Sequence, residues 1–174
     1  NHTITYTNEV HGISIPLPFQ PYNDEVYVCD NGRAITFLVH DEFAGVHGYD
    51  WGDVAFVDFS QVRSTSPSEF LEQHSENYTV LPVGKYEHGL VHYSVAGERQ
   101  YPDMNFDYGV CAYIAIPKDD VNPLRNIPNP NEYANAVLDE YSSWCNGDVY
   151  GVVRIDIDNP DDDFDACWGF IGYD

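Results

Sequence analysis

Any fold open to this chain must keep a large excess of negative charge in water. Its 174 residues carry 29 Asp and Glu against 7 Lys and Arg, a formal net charge of −22. Unpaired carboxylates are too costly to bury, so the core has to come from the residues between them. A compact domain with this charge also repels itself. The acids run from Glu9 to Asp174, and the densest block, Asp161-Asp162-Asp163, is short. The charge therefore belongs to the folded body and not to a detachable tail. An aromatic content of 15 %, with 14 Tyr, agrees, because disordered acidic segments are poor in aromatic residues.

The apolar residues fall mostly in strand patterns. Thr3–Thr7 alternates, Glu25–Cys29 is rich in Val and Tyr, and Arg33–Val39 is β-branched and aromatic. Asp30-Asn31-Gly32 between the last two predicts a hairpin of 25–29 with 33–39. Pro16-Leu17-Pro18-Phe19 reads as extended chain that cannot form a central strand. Val54–Phe59, Thr79–Val83 and Leu90–Val95 are further strands, the last two joined near Glu87-His88-Gly89. Val110–Ile116 is nearly all apolar and predicts a central strand.

Two helices are expected. Ser66-Pro67-Ser68-Glu69 combines a cap, a first-turn proline and a capping-box glutamate, and predicts a helix to about His74. Asn129-Pro130-Asn131-Glu132 repeats that logic. Behind it Tyr133, Val137, Tyr141, Trp144 and Cys145 recur at helical spacing, and Asn146-Gly147 ends the helix. Val149–Ile157 and Phe164–Ile171, around the acidic turn 158–163, form a second hairpin. Without a linker or repeat, the reading is one α+β domain over 1–174 with an antiparallel sheet.

The seven cations exclude several functions. Only Lys85, Lys118 and five scattered Arg are present, so no basic patch exists for nucleic acid or an anionic membrane. There is no apolar run of transmembrane length and no signal-peptide core. Cys29, Cys111, Cys145 and Cys167 are widely spaced without a CxxC pair, so a zinc ribbon is not expected; they read as reduced core thiols, with disulfides as the alternative. The Asn77-Tyr78-Thr79 sequon has no secretory signal beside it.

The C-terminal segment holds Gly147-Asp148-Val149-Tyr150-Gly151, then Cys167-Trp168-Gly169-Phe170-Ile171-Gly172. With the helix before it, this resembles an uncharacterised family of small proteins encoded by phages and mobile elements. Members end with a helix, a G-x-V-Y-G strand, an acidic turn and a D-S-C-W-G-F-x-G strand; Ala166 stands here where that pattern has serine. Gly109–Lys118 and His88 resemble the family's glycine-led apolar strand and turn histidine. The resemblance implies a phage or mobile-element origin and the host-cell cytoplasm, and no particular activity. Physically, Gly151 and Gly169 allow close packing or a bulge, and Trp168 reads as a core filler or, failing that, an aromatic anchor for a partner.

Candidate chemistry is sparse. The acidic turn from Asp156 to Asp165 offers oxygen ligands without EF-hand spacing, since Pro160 stands where the third ligand belongs. In a hairpin, Asp156 and Asp158 would share a face. His88 and His92, four apart, would chelate on a helix but lie about 13 Å apart along one strand. His40, Asp41, Glu42 and His47, with Asp50 and Asp53, form the best metal or nuclease-like cluster. No phosphate loop, dinucleotide fingerprint or nucleophile elbow appears, so no catalytic residue and no cofactor are expected.

A charge of −22 equals the phosphate charge of roughly 37 Å of duplex, about 11 base pairs. The expectation is therefore a DNA mimic, an anti-defence protein that blocks a host DNA-binding complex such as a CRISPR effector, restriction enzyme or repair enzyme. Contact residues would be Asp158, Asp161, Asp162 and Asp163 of the acidic hairpin, with Asp119, Asp120, Asp41, Glu42, Asp50 and Asp53. The alternatives are a divalent-cation-dependent enzyme or binding module, and a halophilic or structural acidic protein. The sequence leaves the oligomeric state open, a homodimer included.

Overall fold

The structure, a computed structural model, describes residues 4–22, 26–29, 34–46, 48–60, 65–102, 104–118, 127–159 and 165–172. In chain order its elements begin with β1 (Ile4–Asn8), β2 (Ile13–Leu17), β3 (Val26–Cys29) and β4 (Ala34–His40). Next come β5 (Ala55–Asp58), α1 (Pro67–His74), β6 (Tyr78–His88), β7 (Leu90–Val95) and the single turn α2 (Met104–Asp107). The chain closes with β8 (Tyr108–Pro117), α3 (Pro130–Cys145), β9 (Val149–Asp156) and β10 (Asp165–Ile171). All strand pairs are antiparallel, giving the expected α+β class.

The chain divides into two compact units, 1–47 with 147–174, and 48–146. Neither crossing carries a linker composition. Glycines in the left-handed region stand at both, Gly48 at φ 71° and Gly147 at φ 79°.

In the first unit, β1 and β2 form a two-stranded ribbon, and a second sheet runs in the order β10-β9-β4-β3. β3 and β4 pair as the predicted hairpin; its Asp30-Asn31-Gly32 turn lies outside the described residues. Pro16 sits in β2 opposite Thr5, where a two-stranded ribbon leaves it on an edge. Strict alternation in β2 turns Ile13, Ile15 and Leu17 inward against Ile35, Phe37, Val39, Val153 and Ile155. Tyr6 and Phe19 set their rings edge-on to Phe37 at 5.1 and 5.5 Å.

In the second unit the sheet order is β5-β8-β6-β7, so the apolar 110–116 run is a central strand as its composition requires. α1 starts on the full capping box, Ser66 accepting from Glu69 N–H and Glu69 from Ser66 N–H, and ends at His74. β6 extends beyond the expected Val83 to His88, with a shift in its pairing to β8 between Val83 and Gly84. Gly84 makes the extension possible: the Tyr108 ring occupies the place a Cβ would take. Gly89, at φ 81°, turns the chain directly into β7.

α3 is capped by Asn129, as its sequence indicates. Its deepest contacts differ from the expected stripe by one position. Ala134 and Leu138 are fully buried on Val83, Tyr93, Val95, Ile114 and Ile116, while Tyr133, Val137, Tyr141 and Cys145 flank them half-buried. Small Ala134 lets the helix axis come close to the sheet, and the larger side chains then splay to either side.

Candidate functional site

Three of the described carboxylates singled out from the sequence build turns. Asp41 Oδ1 accepts from Phe43 N–H at 3.1 Å, and Asp50 Oδ1 accepts from Gly52 N–H at 2.9 Å. Asp156 Oδ1 accepts from Asp158 N–H at 2.9 Å. Asp158 therefore lies in the turn after β9, not on one strand face with Asp156. Glu42, Asp50 and Asp158 are exposed, Asp41 and Asp53 half-buried. Asp119, Asp120, Asp161, Asp162 and Asp163 lie outside the described residues, as does His47.

Asp41 and Glu42 belong to the first unit, Asp50 and Asp53 to the second. The latter pair is held by aromatic packing: Trp51 stacks on Phe56 at 4.3 Å, and Tyr49 sits edge-on to Tyr141 at 5.1 Å. Tyr49 also donates to Glu140 at 3.0 Å. Burial and then that carboxylate push the Tyr49 phenol far above its usual range. His40 Nε2 lies 2.7 Å from Gly147 O. Among the described residues no three His, Cys, Asp or Glu side chains are grouped to hold a metal ion.

The polar side chains that the fold does bring together lie along α3. Asn135, Asp139, Ser142 and Asn146 form one stripe at helical spacing, beside the free edge of β7. Asn146 Oδ1 accepts from Val91 N–H (2.9 Å), Ser142 Oγ from Tyr93 N–H (2.8 Å) and Asn135 Oδ1 from Val95 N–H (2.9 Å). Asn146 also donates to Val91 O (2.8 Å), and Ser142 to Leu138 O (2.7 Å). Three alternate outward N–H groups of an edge strand are thus paired by side chains of one helix, which closes that edge to another strand.

Asp139 uses the same stripe to hold a charged cluster. Its two oxygens take Arg99 Nη1 and Nη2 at 2.7 and 3.1 Å, a two-pronged pair, and Oδ1 lies 2.9 Å from His92 Nε2. A carboxylate only accepts, so Nε2 carries hydrogen in this pair. His92 Nδ1 meets the Tyr101 hydroxyl, which donates to buried Ser94 at 3.0 Å. Partial burial pushes the Asp139 carboxyl up, but the bonds from Arg99 and His92 outweigh it and hold it below the usual range. His88 and His92 are therefore not chelators. They stand on adjacent strands of one hairpin, and His88 pairs with Asp107 at 3.0 Å.

The C-terminal signature resolves into a bulged edge strand. Among the described residues β10 pairs only with β9, and its register shifts between Cys167 and Phe170 around Gly169 at φ 86°. Gly151 is the cradle: a Cβ there would meet Trp168 Cε3 at 2.2 Å. Trp168 is not the core filler the sequence led us to expect. It is 52 % exposed, and Phe170 50 %, because β10 is the outermost strand of its sheet among the described residues. Cys167 is an exposed free thiol, and Cys111 and Cys145 are half-buried free thiols. The side chain of Cys29 lies outside the described residues.

No protein-family model, no curated protein and no solved structure matches the chain. Among the described residues no helix is long and apolar enough to cross a membrane. The α3 stripe was missed because polar residues on a helix read as its solvated face. Its signal was present as Asn, Asp, Ser and Asn at positions 135, 139, 142 and 146.

Proposed function

We propose that this protein is a polyanionic inhibitor that occupies the DNA-binding groove of a host defence or repair complex. It would be encoded by a phage or mobile element and act in the host cytoplasm. The observation that carries the reading is the excess of 29 acidic over 7 basic residues on a fold that buries none of the described carboxylates. Every described carboxylate is exposed or half-buried. Three described cations are engaged within the protein, as are several carboxylates, so the acids prevail by number. Lys85 lies 3.3 Å from Glu87, Arg99 is forked onto Asp139, and Lys118 donates to Glu76 O at 3.1 Å. The surface potential a partner meets is therefore set by carboxylates. Asp41, Glu42, Asp50, Asp53 and Asp158 are the described contact residues of this reading, and Glu42, Asp50 and Asp158 are the exposed ones among them.

The test is competition. Labelled duplex DNA bound to purified CRISPR effector, restriction and repair complexes is titrated with the protein at about 50 mM and about 200 mM salt. Displacement at low salt that weakens at high salt is the expected result. Failure to displace DNA from every complex at low salt overturns the reading.

A further inference from the structure

The two units treat their sheet edges differently. The β7 edge is closed by three side-chain bonds from α3, whereas β10 has no strand on its outer side among the described residues. β10 is seven residues long, and Asp165 through Phe170 are all exposed. Proteins ordinarily blunt such an edge with lysine or proline, and β10 carries neither. Its only defences are Asp165 and the bulge at Gly169. At that bulge stands Trp168, half-exposed and fixed against the Gly151 backbone. A large aromatic held in place in water is characteristic of a binding anchor, because little side-chain freedom remains to be lost on docking.

We infer that β10 is a docking edge for an extended cationic segment of a partner protein, which adds to the sheet as a further strand. Charge selects this occupant. β10 carries Asp165 and no cation of its own, in a chain of net charge −22, and Asp165 stands opposite Arg154 of β9. A second copy of the same hairpin would bring like charge against like charge. A strand bearing Arg or Lys would instead meet Asp165 and a protein of net charge −22. Its main-chain groups would pair along β10, and one cationic head would lie on the exposed Trp168 indole. This edge stands apart from groove filling, since it engages a strand whether or not the protein competes with DNA.

The experiment uses the full chain and capped eight-residue peptides, read by fluorescence anisotropy and by amide exchange over 165–171. An alternating Arg–Val peptide is expected to bind and to slow exchange in β10. An alternating Arg–Pro peptide has the same charge but lacks half the donors of a strand, and a Glu–Val peptide has the wrong sign; both are expected to bind about tenfold more weakly or worse. Trp168→Ala should weaken Arg–Val binding by about tenfold, and Trp168→Phe by only a few-fold. Equal binding of the Arg–Val and Arg–Pro peptides would show charge alone and overturn the inference. So would an unchanged affinity in Trp168→Ala, no binding at all, or a free protein already dimeric through β10 by sedimentation and exchange.

Discussion

The indole of Trp168 lies directly on the backbone of Gly151 in the neighbouring strand, in the space where any other residue would place its Cβ. Gly151→Ala must therefore push the ring off the sheet or bend β9. We expect a loss of about 1–3 kcal/mol in chemical denaturation, with a red shift of tryptophan emission. The double variant with Trp168→Ala tests the cause, because removing the ring removes the clash. The two losses should combine to less than their sum, and strictly additive losses would disprove the contact.

The second unit uses the same device. Tyr108 covers Gly84 beside the pairing shift of β6 on β8, its hydroxyl 2.0 Å from where a Cβ would stand. Gly84→Ala should destabilise the protein by about 1–3 kcal/mol, whereas Gly109→Ala, with nothing near its Cβ position, should cost little. Thermal unfolding of the two variants side by side decides it.

Ser142 joins α3 to β7 in two directions, accepting from Tyr93 N–H and donating to Leu138 O while almost fully buried. Ser142→Ala leaves the Tyr93 amide buried without its acceptor. The expected cost is about 1–3 kcal/mol, with faster hydrogen exchange at Tyr93. An unchanged exchange rate there would mean that the strand edge is satisfied by some other group.

Much of this framework was legible because local chemistry and tertiary packing agree. The Ser66–Glu69 box, the Asn129 cap, the apolar 110–116 run and the pairing of 149–157 with the C-terminal strand each carry their own signal. What was not legible depends on neighbours. Whether Trp168 is core or surface is decided by the strand order, which puts β10 outermost. Whether Asn135, Asp139, Ser142 and Asn146 face water or a strand edge is decided by which edge α3 lies along. In the sequence Asp41 and Asp50 read as partner contacts and Asp156 as a cation ligand, yet each accepts from a main-chain N–H two residues on, a common use of aspartate in turns.

Asp139 makes the stability of the second unit pH-dependent. Its carboxyl is held below the usual range, so its contribution is present above the ordinary carboxylate value of about 4 and is lost as pH falls through the lower folded value. About half of the side chain is exposed, so the contribution is screened and amounts to about 1 kcal/mol or less. Asp139→Asn should lower stability at pH 7 by that amount and flatten the stability curve as pH falls below the ordinary carboxylate value of about 4. A variant whose curve parallels the parent through this window would show that the Arg99 and His92 bonds do not favour the charged form.

The thiols should separate by reactivity, since the thiolate is the reacting species. Burial, and then the nearby Asp58 charge, push the Cys111 thiol up to about 11, and burial also raises Cys145. At pH 8 roughly one Cys111 in a thousand is then ionised. Cys167 lies exposed on β10. In a Cys29→Ser background, a disulfide reagent should therefore modify one thiol per chain quickly, and Cys167→Ser should abolish that fast phase. The rate also reports on the strand edge, because an Arg–Val peptide seated along β10 should slow it while leaving Cys111 and Cys145 unchanged. Fast labelling that persists in Cys167→Ser would move the exposed thiol to another strand and with it the edge on which the docking inference stands.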